Sequence, residues 1–145
     1  MKATILFRII AVIFLIFAAV HTFGFLTFKP PTQEGLAVRD AMNNVHFEVG
    51  GKIFSYGGFY RGFGLSATAS MLFEAFMAWY LGSMARRGSR EVAAIGWAFF
   101  LQQVAGLVLS YFYFGIPPMV LSALVAILIG TATWLAMKKA ATVAR

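Results

Sequence analysis

Cysteine is absent from this 145-residue chain, which excludes disulfides, thiolate metal sites and dithiol redox chemistry. Charge is nearly as scarce. Only 12% of the residues are charged and five are acidic, against about 25% charged in ordinary globular proteins. The two histidines, His21 and His46, lie far apart, so no metal site follows from local spacing. The motifs HExxH, GxxxxGKS/T and GxSxG are missing, and with them the commonest zinc, nucleotide and serine-hydrolase chemistries. Gly62-Phe63-Gly64 is too slight for a nucleotide loop, and no internal repeat stands out. A haem or metal site would depend wholly on folding, and the residues name no cofactor.

What is abundant is apolar surface. Hydrophobic residues make up 61% of the chain, against about 45–50% in soluble domains. A soluble fold of this size has too much surface to hide that content. The solvent for most of the chain is therefore lipid, and the expected fold is an all-α integral membrane protein, one unit by its length.

A helix needs about 20 apolar residues to cross the hydrocarbon core. Four segments qualify, over about residues 5–28, 62–84, 92–114 and 119–137. Together they predict a bundle of four transmembrane helices. Gly115, Pro117 and Pro118 break the chain between the last two. Lys2 and the Ala18-Ala19 pair would suit a secretory signal, but the apolar run continues past His21 to Phe28. A signal's apolar region normally stops after roughly 7–15 residues.

The net charge of +7 is distributed as an orientation signal rather than a nucleic-acid footprint. Lys2, Arg8, Arg86, Arg87, Arg90, Lys138, Lys139 and Arg145 fall on one side, with only Glu91 opposing. Lys29, Arg39, Lys52 and Arg61 fall on the other, balanced by Glu34, Asp40 and Glu48. Eight basic residues against four place both termini in the cytoplasm of a multi-pass protein of the cell inner membrane. Trp79, Trp97 and Trp134 lie toward the cytoplasmic ends of their spans, and Tyr56, Tyr60, Tyr111 and Tyr113 toward the outer ends, as aromatic belts require. The expected partners are membrane lipids, not nucleic acid.

Small residues let membrane helices approach closely. The second span carries Gly62, Ser66, Ser70, Glu74, Ala78 and Gly82 at four-residue spacing, one slowly drifting face. The fourth has Ser122, Ala126, Gly130 and Trp134. The third offers Gly96, Gln103 and Ser110 a heptad apart, with Gly106 beside them. In the first, His21 lies near Ala18, Thr22 and Gly24. Each stripe is expected to face the bundle centre.

The outer loop, residues 29–61, is long for so small a protein, and such loops are usually functional or disordered. Residues 34–42 suit a short helix. Gly50-Gly51 suits a two-residue hairpin turn, pairing Val49 with Lys52, Phe47 with Phe54 and Val45 with Tyr56. The apolar face of this β-hairpin is expected to lie on the bundle or the lipid interface like a lid. Gly57-Gly58 permits a sharp return into the second span.

Glu74 is the most informative residue, because a carboxyl near mid-bilayer is costly and marks a site unless it serves as interhelical glue. His21 lies roughly 7 Å outward of the middle of its span, at about 1.5 Å per residue. The two are candidates for a proton-transfer pair, the alternative for His21 being a bond to a backbone carbonyl. Gln102 and Gln103 point about 100° apart on a helix, so they cannot both face one site. Gln103 is the inward, ligand-facing candidate, while Gln102 suits a neighbouring helix or a second copy of the chain. His46 and Glu48 share one side of a strand, as solvated residues or as ligand contacts. Arg61 and Tyr60 stand at the outer mouth of the second span, where they suit an anionic headgroup or simple snorkelling.

Two stretches carry a resemblance. His21-Thr22-Phe23-Gly24, and the run GLAVRD from Gly35 to Asp40 continuing through HFEVGG and FSYGGFYRGFGL, resemble an uncharacterised bacterial family of small four-span membrane proteins. More distantly, Arg8 with a histidine and a glycine near the end of the first span resembles the DoxX-like proteins. That likeness implies a four-helix bundle, and some members of that broad group are tied to quinone-linked or redox complexes.

Three function classes follow. The first is a bundle that binds a hydrophobic small molecule with a polar head, such as a lipid, quinone or isoprenoid. Glu74 and His21 would form the floor, Gln103 would stand beside them, and the hairpin would cover the mouth. Any turnover would be proton transfer between Glu74, His21 and the ligand. The second is an accessory or assembly subunit of a larger membrane complex, or a homo-oligomer, without a ligand. The third is a transporter, which four short spans could form only as an oligomer.

Overall fold

The computed structural model describes residues 2–143. Arg145, one of the eight basic residues counted on the cytoplasmic side, lies outside the described residues. The elements in chain order are α1 (Lys2–Thr27), α2 (Gln33–Asn44), β1 (His46–Val49), β2 (Lys52–Ser55), α3 (Tyr56–Arg87), α4 (Val92–Tyr113) and α5 (Ile116–Val143). Among these, α1, α4 and α5 are long and apolar enough to cross a membrane. The longer α3, of 32 residues, is not in that set. Arg61, Glu74, the Arg86-Arg87 pair and five glycines lower its apolar share.

Local chemistry explains the boundaries. The expected sharp return at Gly57-Gly58 does not occur, and α3 starts six residues earlier than its apolar run. Ser55 is the reason. Its Oγ accepts a hydrogen bond from the Gly58 amide at 3.0 Å, an N-cap that satisfies an orphan donor of the first turn. Thr32 does the same for α2, accepting from the Gly35 amide at 3.1 Å. Pro117 and Pro118 sit in the first turn of α5, where a missing N–H is harmless. The break before them is made by Gly115, at φ 81°.

The short sheet matches the expected hairpin. It pairs Val49 with Lys52 and Phe47 with Phe54 in antiparallel register, and the Tyr56 amide donates to the Val45 carbonyl at 3.3 Å. Gly50 and Gly51 both have positive φ, 58° and 76°, the signature of the primed turn that suits the twist of a two-residue hairpin. Gly51→Val puts a side chain in that left-handed region at a cost of about 1–2 kcal/mol. The expected result is faster hydrogen exchange at the Phe47 and Phe54 amides, with α4 and α5 unaffected. Unchanged protection in the hairpin would contradict the turn assignment.

The chain divides into two compact units. Unit one comprises Met1–Phe14 and Glu74–Arg145. Its core joins segments of four helices: Phe7, Ile10 and Phe14 of α1, Ala78 and Leu81 of α3, Val92 and Phe99 of α4, and Val125, Ile129 and Ala132 of α5. Small residues sit at two of the contacts between helices: a Cβ at Gly82 would meet Phe7 of α1, and one at Gly96 would meet Thr133 of α5. On α4 the buried residues include Gly96, Gln103 and Ser110, the heptad-spaced stripe expected from sequence.

The four-residue stripes fare differently. Ala78 and Gly82 of α3 are buried, whereas Gly62, Ser66 and Ser70 are exposed. A step of four residues overshoots one turn by about 40°, so over twenty residues the stripe rotates to the opposite side of the helix. On α5 the same drift exposes Trp134, and the buried line instead runs through Val125, Ile129, Ala132, Thr133 and Ala136.

Unit one also holds Arg8, half-buried near the start of α1. Its guanidinium carbon lies 3.1 Å from the centre of the Trp79 ring, and Nη2 donates to Ser83 Oγ at 3.0 Å. A cation over an aromatic face gains more when desolvated, so this contact fastens α1 to α3.

Unit two is Leu15–Phe73: the end of α1, then α2, the hairpin and the start of α3. It has few buried side chains. Phe47 of the hairpin packs edge-on to Phe59, 5.5 Å between centroids, and Phe59 meets Phe63 at 4.9 Å. An aromatic row thus ties β1 to the first turns of α3.

Candidate ligand cavity and the polar residues of the helices

Unit two contains an open cavity of about 610 Å³, within the roughly 300–1,000 Å³ typical of small-molecule sites. Three elements build it. Helical spacing puts Gly35, Val38, Arg39, Met42 and Asn43 on one face of α2, and Gly57, Tyr60 and Arg61 on one face of α3; both sets line the cavity. The end of α1 and the segment after it add Phe25, Leu26, Phe28 and Pro30.

The walls divide by chemistry. Phe25, Leu26, Phe28, Val38 and Met42 are apolar, while Arg39, Asp40, Asn43 and Arg61 are polar or charged. Arg61 Nη2 donates to Asn43 Oδ1 at 3.5 Å, a long bond across the gap between α3 and α2. Gly57 makes this approach feasible, since a Cβ there would run into the Asn43 side chain.

His21 stands behind one wall. Its Nε2 lies 3.2 Å from the Gly64 carbonyl, the backbone alternative weighed for this residue, and its ring stacks on Phe25 at 5.8 Å. Phe25 in turn meets the Tyr60 ring at 5.5 Å. The absence of a side chain at Gly64 admits Phe25, whose ring would collide with a Cβ. Thr22 and Thr68 share a hydrogen bond of 2.8 Å nearby. His21 thus supports a lining residue without lining the cavity itself.

Glu74 belongs to unit one and finds its partner there. Gln102 Nε2 donates to Glu74 Oε1. Gln102 thus joins α4 to α3, while Gln103 is buried on α4. The two candidate proton-transfer residues, Glu74 and His21, are thus each engaged within their own unit. His46 and Glu48 are exposed on β1, with His46 Nδ1 2.8 Å from the Asn44 carbonyl, and neither lines the cavity. Among the described residues, no group of three or more His, Asp or Glu side chains is placed to hold a metal.

Of the residues singled out from sequence, Tyr60 and Arg61 line the cavity. Arg39 and Asn43 were missed. The signal for them is the spacing of Gly35, Val38, Arg39, Met42 and Asn43, which marks one helical face within and beyond the GLAVRD run. In comparisons with known proteins, no family model, no curated protein and no solved structure matches the chain.

Proposed function

We propose that the chain is a multi-pass protein of the cell inner membrane, with α3 as a fourth span and both termini cytoplasmic. In this reading it binds a hydrophobic small molecule with a polar head in the cavity of unit two. The observation that carries it is the cavity's division into an apolar wall, from the end of α1 with Val38 and Met42 of α2, and a polar side that includes Arg39, Asn43 and Arg61. Such convergence of a few polar groups on an apolar pocket is the usual form of a ligand site.

Further support comes from the surface. Phe23, Phe76, Leu101 and Ile127 are more than half exposed on their helices, as a lipid solvent permits. Lys138 Nζ lies 3.7 Å from the Trp134 ring centre, a pairing suited to a cytoplasmic interface. The DoxX-like resemblance agrees with a helical bundle and rests on Arg8, His21 and Gly24 alone. Proton transfer by Glu74 and His21 is a separate proposal, which fails if Glu74→Gln with His21→Ala leaves any turnover intact.

Native mass spectrometry of the full chain in mild detergent tests the binding reading. Wild type is expected to carry a discrete lipid-sized adduct, and Val38→Trp, which fills the cavity without changing charge, to lose it. An empty wild type would favour the second reading, an accessory subunit or homo-oligomer. One observation already points that way. Ala94, Ala98 and Ala105 are exposed together on α4, a small-residue face suited to a neighbouring helix.

A further inference from the structure

We infer that the polar side of the cavity is a phosphate site, its ligand held by the guanidinium groups of Arg39 and Arg61. This deepens the binding reading above and rests on it. Two arginines and one aspartate, Asp40, line the cavity, so its charged lining sums to +1 and favours an anion. A neutral hydroxyl or carbonyl head gives no physical role to two cations in one small space.

The kind of cation narrows the anion. Each guanidinium presents five donors in a planar fork that matches phosphate or carboxylate oxygens in pairs. The two forks come from different helices, α2 and α3, so they can approach a head from two directions. A tetrahedral phosphate offers oxygens in three dimensions to both forks, whereas a carboxylate offers two oxygens in one plane, which suits forks converging from two directions less well.

Arg61 is exposed and reaches toward α2. Its bond to Asn43 spends one donor and leaves the rest of the fork for a ligand. Arg39 is half-buried on the face of α2 that carries Asn43 one turn later, a placement unlike that of a freely solvated side chain. The apolar wall of Phe25, Leu26, Phe28 and Val38 adjoins these cations. It suits the chain of a phosphate-bearing amphiphile. Free phosphate has the same head chemistry without using that wall.

The test uses the purified full chain in neutral detergent, with retention read by native mass spectrometry. Dioleoyl phosphatidic acid is compared with dioleoylglycerol, which has the same acyl chains and no phosphate. Wild type is expected to retain phosphatidic acid at least about ten-fold more strongly, the scale of one charge-assisted hydrogen bond. Arg39→Gln and Arg61→Gln should each remove most of that preference. Arg39→Lys, which keeps the charge but loses the fork, should remove part of it.

Competition with inorganic phosphate separates the sources. Displacement of phosphatidic acid at millimolar phosphate assigns the site to free phosphate, and persistence assigns it to the amphiphile; both support phosphate recognition. Equal retention of the two lipids, unchanged in the arginine variants, overturns the phosphate site and leaves the cavity reading standing. Retention of neither lipid, with no phosphate bound, overturns both. Circular dichroism checks the fold of each variant. Arg39→Gln, which breaks no hydrogen bond between α2 and α3, serves if Arg61→Gln does not fold.

Discussion

Gly96→Ala is expected to destabilise the protein by about 1–3 kcal/mol, the usual cost of forcing a methyl group into a filled space. Gly96 is buried on α4, and a Cβ there would meet the Oγ1, Cγ2 and Cβ of Thr133 on α5. Thr133 is fully buried, so it has no room to swing aside. Gly106, on the same helix, is the control. A Cβ at Gly106 would find only Ser122 Oγ, at 3.7 Å, an ordinary contact. Gly106→Ala should therefore be neutral or gain up to about 1 kcal/mol from helix propensity.

The readout is unfolding by sodium dodecyl sulfate in mixed micelles, followed by tryptophan fluorescence, since Trp97 and Trp134 lie on the two helices concerned. Pairing Gly96→Ala with Thr133→Ala removes two of the three clashing atoms and should recover at least half of the loss. Equal stability of Gly96→Ala and Gly106→Ala would mean that α4 and α5 do not meet over Gly96. Gly96→Leu should be worse than alanine by a clear margin, because its branches would have to enter the same space.

How much of this was legible in sequence depends on the range of the physics involved. The helices α1, α4 and α5 follow from length and apolarity, which are local properties. The hairpin register follows from Gly50-Gly51, where two adjacent positive φ angles leave little other choice of turn. The start of α3 was not legible. Gly57-Gly58 reads as a break, and only the Ser55 cap, a single hydrogen bond, converts those residues into a first turn. The α4 stripe was legible because a heptad tracks a helix closely, whereas four-residue stripes on α3 and α5 drift off the packed side.

The candidate site shows the same divide. Tyr60 and Arg61 stand out as a polar pair at the mouth of an apolar run. Arg39 and Asn43 sit in an amphipathic segment with no chemistry of its own, and their face acquires meaning only when α2 lies against the start of α3. Glu74 is legible as an anomaly in any reading, since few positions in so apolar a chain carry a carboxyl. Its partner is tertiary.

Removing the Glu74 carboxyl separates its two roles. Glu74→Leu is expected to cost about 1 kcal/mol, the usual net scale of one hydrogen bond, because Gln102, exposed on α4, loses its acceptor. Glu74→Gln, which keeps an acceptor oxygen, should cost less than half of that. A double-mutant cycle with Gln102→Leu isolates the contact. With α3 taken as a span, as proposed above, the relevant scale is that of membrane helices, where coupling averages about 0.6 kcal/mol and reaches about 1.7 kcal/mol; the directness of this bond predicts a value in the upper half of that range. The cycle is read in the same unfolding assay, alongside ligand retention. Coupling near zero, with Glu74→Leu as stable as wild type but altered in retention, would make Glu74 a ligand group instead of a fastener between α3 and α4. Strong coupling with unchanged retention would make it a fastener and leave ligand binding to the cavity in unit two.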